Sequence, residues 1–243
     1  MKPASIHIGC AGWTIPKEYN EYFPATGSHL ERYASRFNAV EIDSSFYRSH
    51  KTSTYQRWAE AVPEYFRFAV KIPKQITHVS RLQDINLIKQ FLEEVSGLGD
   101  KLGPFLVQLP PSLSFDEEIA KTFFAEFRRL FKVKVVCEPR HKSWFTAQAD
   151  ELLARFLVAR VAADPAPTPS GGKPGGWNGL AYFRLHGSPK KYYSAYTYEQ
   201  LKSIAKSVKE PAGSAETWCI FDNTAAGAAI PNSLALSELL MDR

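Results

Sequence analysis

The chain has 243 residues, of which 44% are hydrophobic and 23% are charged, with a formal net charge of +5. This composition excludes a disordered chain and is sufficient for one α/β barrel or two average domains. The mild basicity favours an anionic partner, although a solvated basic surface is the simpler explanation.

Cysteine spacing and hydropathy indicate the cellular setting. Cys10, Cys137 and Cys219 cannot all pair within one chain and form no CxxC spacing, so neither a disulfide framework nor a thiolate zinc site is indicated. The first residues lack the apolar core of a signal peptide, and no apolar run reaches membrane-spanning length. We therefore expect a cytoplasmic protein with no membrane partner.

Strand and helix signals alternate along the chain. Short apolar runs predict eight strands, at residues 5–9, 39–43, 67–72, 105–109, the start of 133–145, 159–163, 180–185 and 217–221. Helical spacing predicts seven helices, at 28–37, 52–62, 84–95, 116–131, 147–157, 198–208 and 231–240. Ser28 and Glu31 match a capping box, and Thr52 or Ser53 is the expected cap of the second helix.

A helix signal is missing after the sixth strand. Residues 165–179 contain four prolines and five glycines, which predicts a mobile loop. Eight strands that alternate with helices in a chain of this length indicate a (β/α)8 TIM barrel, a single domain over 1–243 with a weak or missing sixth helix. An open doubly wound sheet is the alternative, but the first strand is not followed by a GxGxxG loop.

Polar side chains stand near the ends of the apolar runs from the second strand to the eighth. They are Glu41, Asp43, Lys71, Gln108, Glu138, Arg140, Asp164, Arg184, His186 and Asp222. Paired members are spaced by two, which places them on one strand face. The pattern predicts a polar site at the carboxyl ends of the strands. The alternative is a closed salt-bridge network that plugs the barrel, with Glu138 paired to Arg184 and Lys71 paired to Asp43.

The stretch 133–145, VKVVCEPRHKSWF, contains candidate groups for both proton transfer and substrate binding. Glu138 and Asp43 are candidates for proton transfer, with His141 and His186 as further candidate catalytic residues. The candidate substrate-binding residues are Lys71, Gln108, Arg140, Arg184, Trp144, Trp13, Tyr47, Arg48, Lys190, Lys191 and Asp222. Within this set the cations of the third, fifth and seventh strands would hold an anion, and the aromatic rings would stack on the ligand.

Three functions are compatible with this arrangement. The leading one is a hydrolase or lyase that acts on an anionic, phosphate-bearing sugar or nucleic-acid fragment. The second is a non-catalytic nucleic-acid-binding barrel that uses Lys190, Lys191 and the neighbouring tyrosines. The third is a metal-dependent isomerase or nuclease, since carboxylates suit magnesium or manganese.

The spacing of histidines and acidic residues is relevant to the metal-dependent function. No HxH, HExxH or DxD spacing occurs, so no metal ligand or other cofactor is assigned. Only two of the six histidines lie at strand ends. We expect His7 in the core and His29, His50 and His78 at the surface.

Seven motifs occur in a characteristic order between about Ile6 and Leu240: IGCAGW, VEIDSSFYR, FAVKIP, LVQLPPS, CEPRHKSWF, FRLHG and FDNTAAGAAIPNSLAL. The chain thereby resembles the domain-of-unknown-function 72 proteins, also called YecE-like. The resemblance implies a TIM-barrel fold and leaves the reaction open. It maps the family's signature residues onto Gly9, Gly12, Trp13, Glu41, Ser45, Phe46, Tyr47, Arg48, Lys71, Gln108, Glu138, Arg140, His141, Ser143, Trp144, Arg184, His186 and Gly187.

The chain departs from the family pattern at Cys137, Pro139 and the Asp222-Asn223 pair. Pro139 removes a backbone donor at a strand end. Asp222 stands where the family more often has asparagine, and its negative charge would weaken anion binding or supply a metal ligand.

Overall fold

The structure, a computed structural model, describes residues 6–241. Residue 5, which the prediction placed in the first strand, lies outside this range. The described strands are β1 (Ile6–Cys10), β2 (Ala39–Ile42), β3 (Arg67–Lys71), β4 (Leu102–Gln108), β5 (Val135–Glu138), β6 (Val158–Arg160), β7 (Ala162–Asp164), β8 (Gly175–Gly176), β9 (Leu180–Leu185) and β10 (Glu216–Phe221). The α-helices are α1 (His29–Ala34), α2 (Thr52–Glu60), α3 (Asn86–Val95), α4 (Glu117–Leu130), α5 (Ala147–Arg155), α6 (Tyr198–Lys209) and α7 (Ala229–Met241). Across this range, no helix combines the length and the apolar character needed to cross a membrane.

The strands form two sheets, in the orders β1-β10-β9-β7 and β2-β3-β4-β5-β6-β8. All pairs are parallel except that of β6 with the two-residue β8. The sheets adjoin at two places. β6 and β7 are separated by one residue, Val161, and an isolated parallel bridge joins Ala11 to Glu41. The predicted alternation of parallel strands and helices is confirmed, and the carboxyl ends of the strands share one edge.

The strands are buried on both faces, which explains their nearly continuous apolar character. One face, which includes Phe68 and Val107, belongs to the large core that also contains the helix side chains. The opposite face forms a smaller core with the members Ala39, Ala69, Leu106, Val136, Ala159, Val161, Leu180, Tyr182, Trp218 and Ile220. His7 stacks on Trp218 with ring centroids 4.5 Å apart, which confirms its predicted place in the core.

The segment 165–179 contains no α-helix, as predicted, but it is tied to the sheet. It holds β8, which pairs with β6. The buried Arg160 guanidinium donates to the Asp150 carboxylate at 2.7 and 3.1 Å and to the carbonyls of Ser170 and Lys173 at 3.1 and 3.3 Å. Glycine and proline content alone does not predict this anchoring, because the anchor lies outside the segment.

Helix caps follow the predicted pattern at α1 but not at α2. The Ser28 hydroxyl and the Glu31 carboxylate form the expected capping box. At α2 the N-cap position belongs to Lys51, which makes no side-chain cap, so the assignment to Thr52 or Ser53 was wrong.

Gly9 lies at a close approach between β1 and β2. A β-carbon at this position would lie 2.1 Å from the Ala39 carbonyl oxygen and 3.0 Å from the Tyr33 hydroxyl. We expect Gly9→Ala to lower the free energy of unfolding by about 3 kcal/mol, because backbone must move to admit the methyl group. Gly213→Ala is the control, since a β-carbon there meets nothing within 4 Å. Equal urea midpoints for the two variants would contradict this expectation.

Candidate functional site

Polar side chains from six strands and the residues that follow them meet at the carboxyl edge. We call this set the strand-end cluster: Glu41, Asp43, Lys71, Gln108, Glu138, Arg140, Arg184, His186 and Asp222. Its members continue the inward face of the strands, as Glu138 follows Val136 and Lys71 follows Ala69 by two residues. The spacing rule that predicted a shared site therefore holds for these residues.

Arg184 lies at the centre of the strand-end cluster and is fully buried. Its Nη2 and Nε donate to the two carboxylate oxygens of Glu41 at 2.6 and 3.1 Å. Its Nη1 donates to Glu138 Oε2 at 2.8 Å, and Nη2 lies 3.1 Å from Asp222 Oδ2. One guanidinium thus contacts carboxylates of β2, of β5 and of the residue that follows β10, and its donors are directed at protein acceptors.

Glu138 is the second hub of the strand-end cluster. Besides Arg184, its carboxylate accepts from Gln108 Nε2 at 2.9 Å and lies 2.8 Å from Arg140 Nη2. His186 Nε2 lies 2.9 Å from Glu138 Oε1, and His186 Nδ1 lies 2.9 Å from an Asp222 oxygen. His186 Nε2 also lies 3.2 Å from Arg140 Nη2, so the imidazole joins Glu138, Arg140 and Asp222.

The surroundings of Glu138 favour its ionised form. Burial alone would raise its pKa, but the charges of Arg184, Arg140 and His186 outweigh burial and hold the pKa well below the usual range. Asp222 behaves in the same way: the effect of burial is outweighed by Arg184 and His186, and the pKa is lowered. Both carboxylates are therefore charged at neutral pH.

Glu41 has the opposite balance. Burial is the dominant influence and raises its pKa, with Asp222 and Asp43 acting in the same direction against Arg184. The Tyr182 hydroxyl donates to Glu41 at 2.8 Å. Glu41 is thus the easiest to protonate of the three carboxylates that contact Arg184 most closely, although all three contact the same guanidinium.

Lys71 and Asp43 form a pair on the solvent side of the strand-end cluster. Lys71 Nζ donates to Asp43 Oδ1 at 2.8 Å and lies 4.1 Å from the centre of the Phe46 ring. The Asp43 side chain is 28% exposed, more than those of Glu41, Glu138 and Asp222. Asp43 is therefore the carboxylate of the cluster with the best access for a ligand.

Both ion pairs of the network alternative are present in the structure. Glu138 pairs with Arg184, and Lys71 pairs with Asp43. The predicted role of Arg184 in holding a substrate anion conflicts with this geometry, because its donors are engaged by buried carboxylates. Arg140 is different: its side chain is 12% exposed, and its buried Nε has no protein acceptor among residues 6–241.

The structure separates Trp144 from the strand-end cluster. Trp144 is buried in the helix-side core, where its Nε1 donates to the Leu113 carbonyl at 3.0 Å and its ring packs edge-on against Phe115. It cannot stack on a ligand at the strand ends in this position, which corrects the sequence assignment. The short helical turn Lys142–Trp144 turns the indole away from the strand axis. His141 also points locally, with Nδ1 2.8 Å from the Ser143 hydroxyl.

The remaining predicted ligand groups of the first two strands lie to one side of the cluster. Trp13 is half-buried and packs edge-on against Trp58, with ring centroids 5.0 Å apart. Tyr47 is 66% exposed, and Arg48 is exposed beside it. Tyr47 and Arg48 line a cavity of about 280 Å³ together with Phe46 and residues of α3. The Phe46 ring connects this cavity to the cluster, because it meets Tyr47 edge-on at 4.9 Å and lies 4.1 Å from Lys71 Nζ.

The segment after β9 covers His186. Tyr192 adopts a φ of +70°, its N–H donates to the His186 carbonyl, and its ring meets the imidazole edge-on at 5.7 Å. Lys190 Nζ lies over the Tyr193 ring at 4.2 Å. Partial burial, followed by the nearby Arg140 charge, lowers the pKa of Lys191. The segment therefore places Lys191 within electrostatic reach of the cluster and Lys190 on the outer face of the segment.

Two residues of the site received no role from sequence reasoning. Glu41 was recognised as a strand-end acid, but nothing in the sequence showed that it would take the bidentate contact with Arg184. Tyr182 was read only as part of an apolar strand. Its position two residues before Arg184 on the same face was the available signal.

Metal ligation was tested on the same geometry. Considering only residues 6–241, no group of three or more His, Cys, Asp or Glu side chains is arranged to hold a metal ion. The carboxylates of Glu41, Glu138 and Asp222 instead converge on the Arg184 guanidinium. An internal cation thus stands where the metal-dependent alternative required a divalent ion.

Comparison with known proteins settles the family. The model of the family described as "Protein of unknown function DUF72" matches residues 7–243. The chain belongs to this family. The Escherichia coli K12 protein named UPF0759 protein YecE is 31% identical to this DUF72 chain, over 67% of the chain and 60% of YecE. The resemblance drawn from the sequence motifs is confirmed.

Solved structures agree with the DUF72 fold. A DUF72 family protein of Thermotoga maritima has a TM-score of 0.81 and 22% identity, with 98% of this chain and 99% of that chain covered. A xylose isomerase-like TIM barrel/4-hydroxyphenylpyruvate dioxygenase fusion protein has a TM-score of 0.52 and 12% identity, over 98% of this chain and 42% of that one. The fold is therefore α/β with parallel sheets and is TIM-barrel-like.

Proposed function

We propose that this DUF72 protein is an enzyme of the hydrolase or lyase type that binds an anionic, phosphate-bearing sugar or nucleic-acid fragment at the carboxyl edge. We further propose that the two sheets act as one closed (β/α)8 barrel, joined at Val161 and at the bridge between Ala11 and Glu41. The strand-end cluster then occupies the mouth of that barrel, the usual location of TIM-barrel active sites.

The observation that carries the proposal is the layering of charge in the strand-end cluster. The inner layer, Arg184 with Glu41 and Glu138, is fully paired and buried. The outer layer consists of Asp43, which is 28% exposed, Arg140, which is 12% exposed, and the buried Lys71, and the buried Nε of Arg140 has no acceptor among residues 6–241. A buried donor without an acceptor is costly, and an anionic ligand oxygen would satisfy it.

Roles follow from this layering. Arg140 and Lys71 bind the anion, with Lys191 reaching over from the segment after β9. Asp43 is the proton-transfer group, because it is the most exposed of the four cluster carboxylates. Glu138 and His186 orient Arg140 from the interior, and the charge of Arg184 keeps Glu138 and Asp222 ionised. In this scheme Arg184 acts through other residues and does not contact the substrate.

The test combines binding with turnover. Titration calorimetry with sulfate should show binding to the wild type, and Arg140→Gln should weaken it about 10- to 100-fold, since a hydrogen bond to a charged group is lost. Release of 4-nitrophenolate from bis(4-nitrophenyl) phosphate, 4-nitrophenyl phosphate and 4-nitrophenyl glycosides would identify the bond cleaved. Asp43→Asn should lower kcat at least about 100-fold.

Arg129→Gln serves as the matched control for Arg140→Gln. Arg129 pairs with Glu126 on the exposed surface of α4, away from the strand ends. Its replacement should change neither sulfate affinity nor turnover. Wild-type protein that neither binds sulfate nor cleaves any of these compounds would refute the proposal.

A second candidate is a non-catalytic barrel that binds single-stranded nucleic acid. It is supported by Tyr192 and Tyr193, which are 40% and 49% exposed, and by the Lys190 ammonium over the second of these rings. Such a surface combines stacking with phosphate contacts. Binding of an oligothymidylate should then weaken steeply with added salt, and affinity that does not change with salt excludes this candidate.

A further inference from the structure

His78 lies in a π-helical turn, Gln75–Val79, that begins four residues after the end of β3. Turns of this kind frequently occur at functional sites. The imidazole is half-buried rather than fully exposed, so the expectation of a surface group holds only in part. Its Nδ1 lies 2.9 Å from the Thr77 hydroxyl oxygen, which leaves Nε2 as the nitrogen available to a ligand.

The Phe46 ring links His78 to the strand-end cluster. The imidazole meets this ring at nearly a right angle, 82°, with centroids 4.9 Å apart. Lys71 Nζ lies 4.1 Å from the centre of the same ring. The π-turn after β3 therefore holds an imidazole against the same ring that the Lys71 ammonium contacts, and the proposed function assigns this ammonium to anion binding.

The charges around His78 come from the two anion-binding cations. Burial is the largest influence and lowers the pKa of His78, and the charges of Lys71 and Arg140 lower it further. Burial and the two cations therefore all favour the neutral form of the imidazole in the absence of a ligand. A dianion bound among the three groups would offset these cations and reverse their effect on the imidazole.

We propose that His78 is a third anion-binding residue, whose imidazole takes up one proton when a phosphate or sulfate group binds beside Lys71 and Arg140. This inference rests on the proposed function of the strand-end cluster. The proton comes from solvent, forms an N–H bond at the imidazole, and is donated in a hydrogen bond to an oxygen of the anion. No other bond forms or breaks.

The proposal predicts a pH dependence of a stated sign. Because the bound form carries one more proton than the free form, affinity must rise as pH falls through the range in which His78 titrates. Sulfate is the suitable probe, since it remains a dianion throughout that range, whereas phosphate itself titrates. We expect the dissociation constant of sulfate to fall about 10-fold between about pH 8 and about pH 6 for the wild type.

The decisive comparison is between the wild type, His78→Gln and His50→Gln. His50 is another half-buried histidine with a pKa lowered first by burial and then by Arg48, and its Nε2 contacts the Ser44 hydroxyl at 2.9 Å. His78→Gln should bind sulfate more weakly and with little pH dependence, whereas His50→Gln should behave like the wild type. Glu41, whose pKa is raised, is present in all three proteins, so their difference reports His78 alone.

Proton NMR of the imidazole Cε1–H groups gives a direct reading on the wild-type protein. Addition of sulfate at about pH 7 should shift the His78 signal toward its protonated position and leave the His50 signal unchanged. Sulfate that binds with the same pH dependence to the wild type and to His78→Gln overturns the inference and leaves the proposed function standing. Absence of sulfate binding to the wild type at every pH overturns both.

Discussion

Replacing Arg184 with methionine is expected to lower the free energy of unfolding by about 5 kcal/mol at neutral pH, the largest effect of any single substitution considered. The guanidinium is fully buried and contacts the carboxylates of Glu41, Glu138 and Asp222. Methionine fills much of the volume but leaves these buried charges without their shared cation. Arg184→Lys keeps the charge but loses the bidentate geometry. Its free energy of unfolding should therefore lie between those of the wild type and Arg184→Met.

Urea unfolding over a range of pH tests this explanation. Without Arg184, the pKa values of Glu138 and Asp222 lose the charge that chiefly holds them down. Protonation then relieves the buried repulsion, so the deficit of Arg184→Met relative to the wild type should shrink as pH falls from about 7 toward about 4. Arg129→Met, at an exposed pair with Glu126, should cost less than about 1 kcal/mol. A deficit for Arg184→Met no larger than that of the control would show that the guanidinium contributes little to stability.

Glu138→Gln is expected to lower the free energy of unfolding by about 3 kcal/mol at neutral pH. The substitution preserves shape but removes the charge shared by Arg184, Arg140 and His186. It should also disorder the outer layer, because Arg140 loses its carboxylate anchor. Sulfate binding should therefore weaken in this variant even though Glu138 is not placed in contact with the ligand.

The pH dependence of the Glu138→Gln effect has a definite sign. The pKa of Glu138 lies well below its ordinary value of 4.5 in the folded protein. Its contribution to stability is therefore complete above the unfolded-state pKa and is lost as pH falls through the lower, folded-state pKa. The wild type and Glu138→Gln should converge in strongly acidic solution. Glu118→Gln is the control, since Glu118 is highly exposed in its pair with Lys121 and should show no such convergence.

Strand periodicity predicted which polar groups meet for nine of the ten strand-end residues; the exception is Asp164, which lines a separate cavity with Ala162 and Phe183. Glu138 and Arg140, like Arg184 and His186, share a strand face because their spacing is two, and parallel strands bring their carboxyl ends to one edge. The same reasoning correctly placed His7 in the core. These predictions needed only local geometry, which a single sequence contains.

How deeply each side chain is buried, and which ion-pair partners it has, could not be predicted in the same way. Whether Arg184 faces solvent or three carboxylates depends on where β2, β5 and β10 place their side chains, which no spacing within β9 reveals. Trp144 was misplaced for a related reason. It follows the strand end closely in sequence, but the turn Lys142–Trp144 carries the indole into the helix-side core. Function proved harder still, since an internal ion-pair network and a catalytic site draw on the same residue types.

The central position of Arg184 also constrains how the chain can be divided. Its carboxylate partners, Glu41, Glu138 and Asp222, lie on both sides of it in the sequence, and 143 residues separate it from Glu41. A fragment that ends before β9 would carry Glu41 and Glu138 into the interior without their common cation. The nascent chain therefore cannot complete its inner charge balance until Arg184 has been synthesised, and a stable autonomous fragment that ends before β9 is not expected from this sequence.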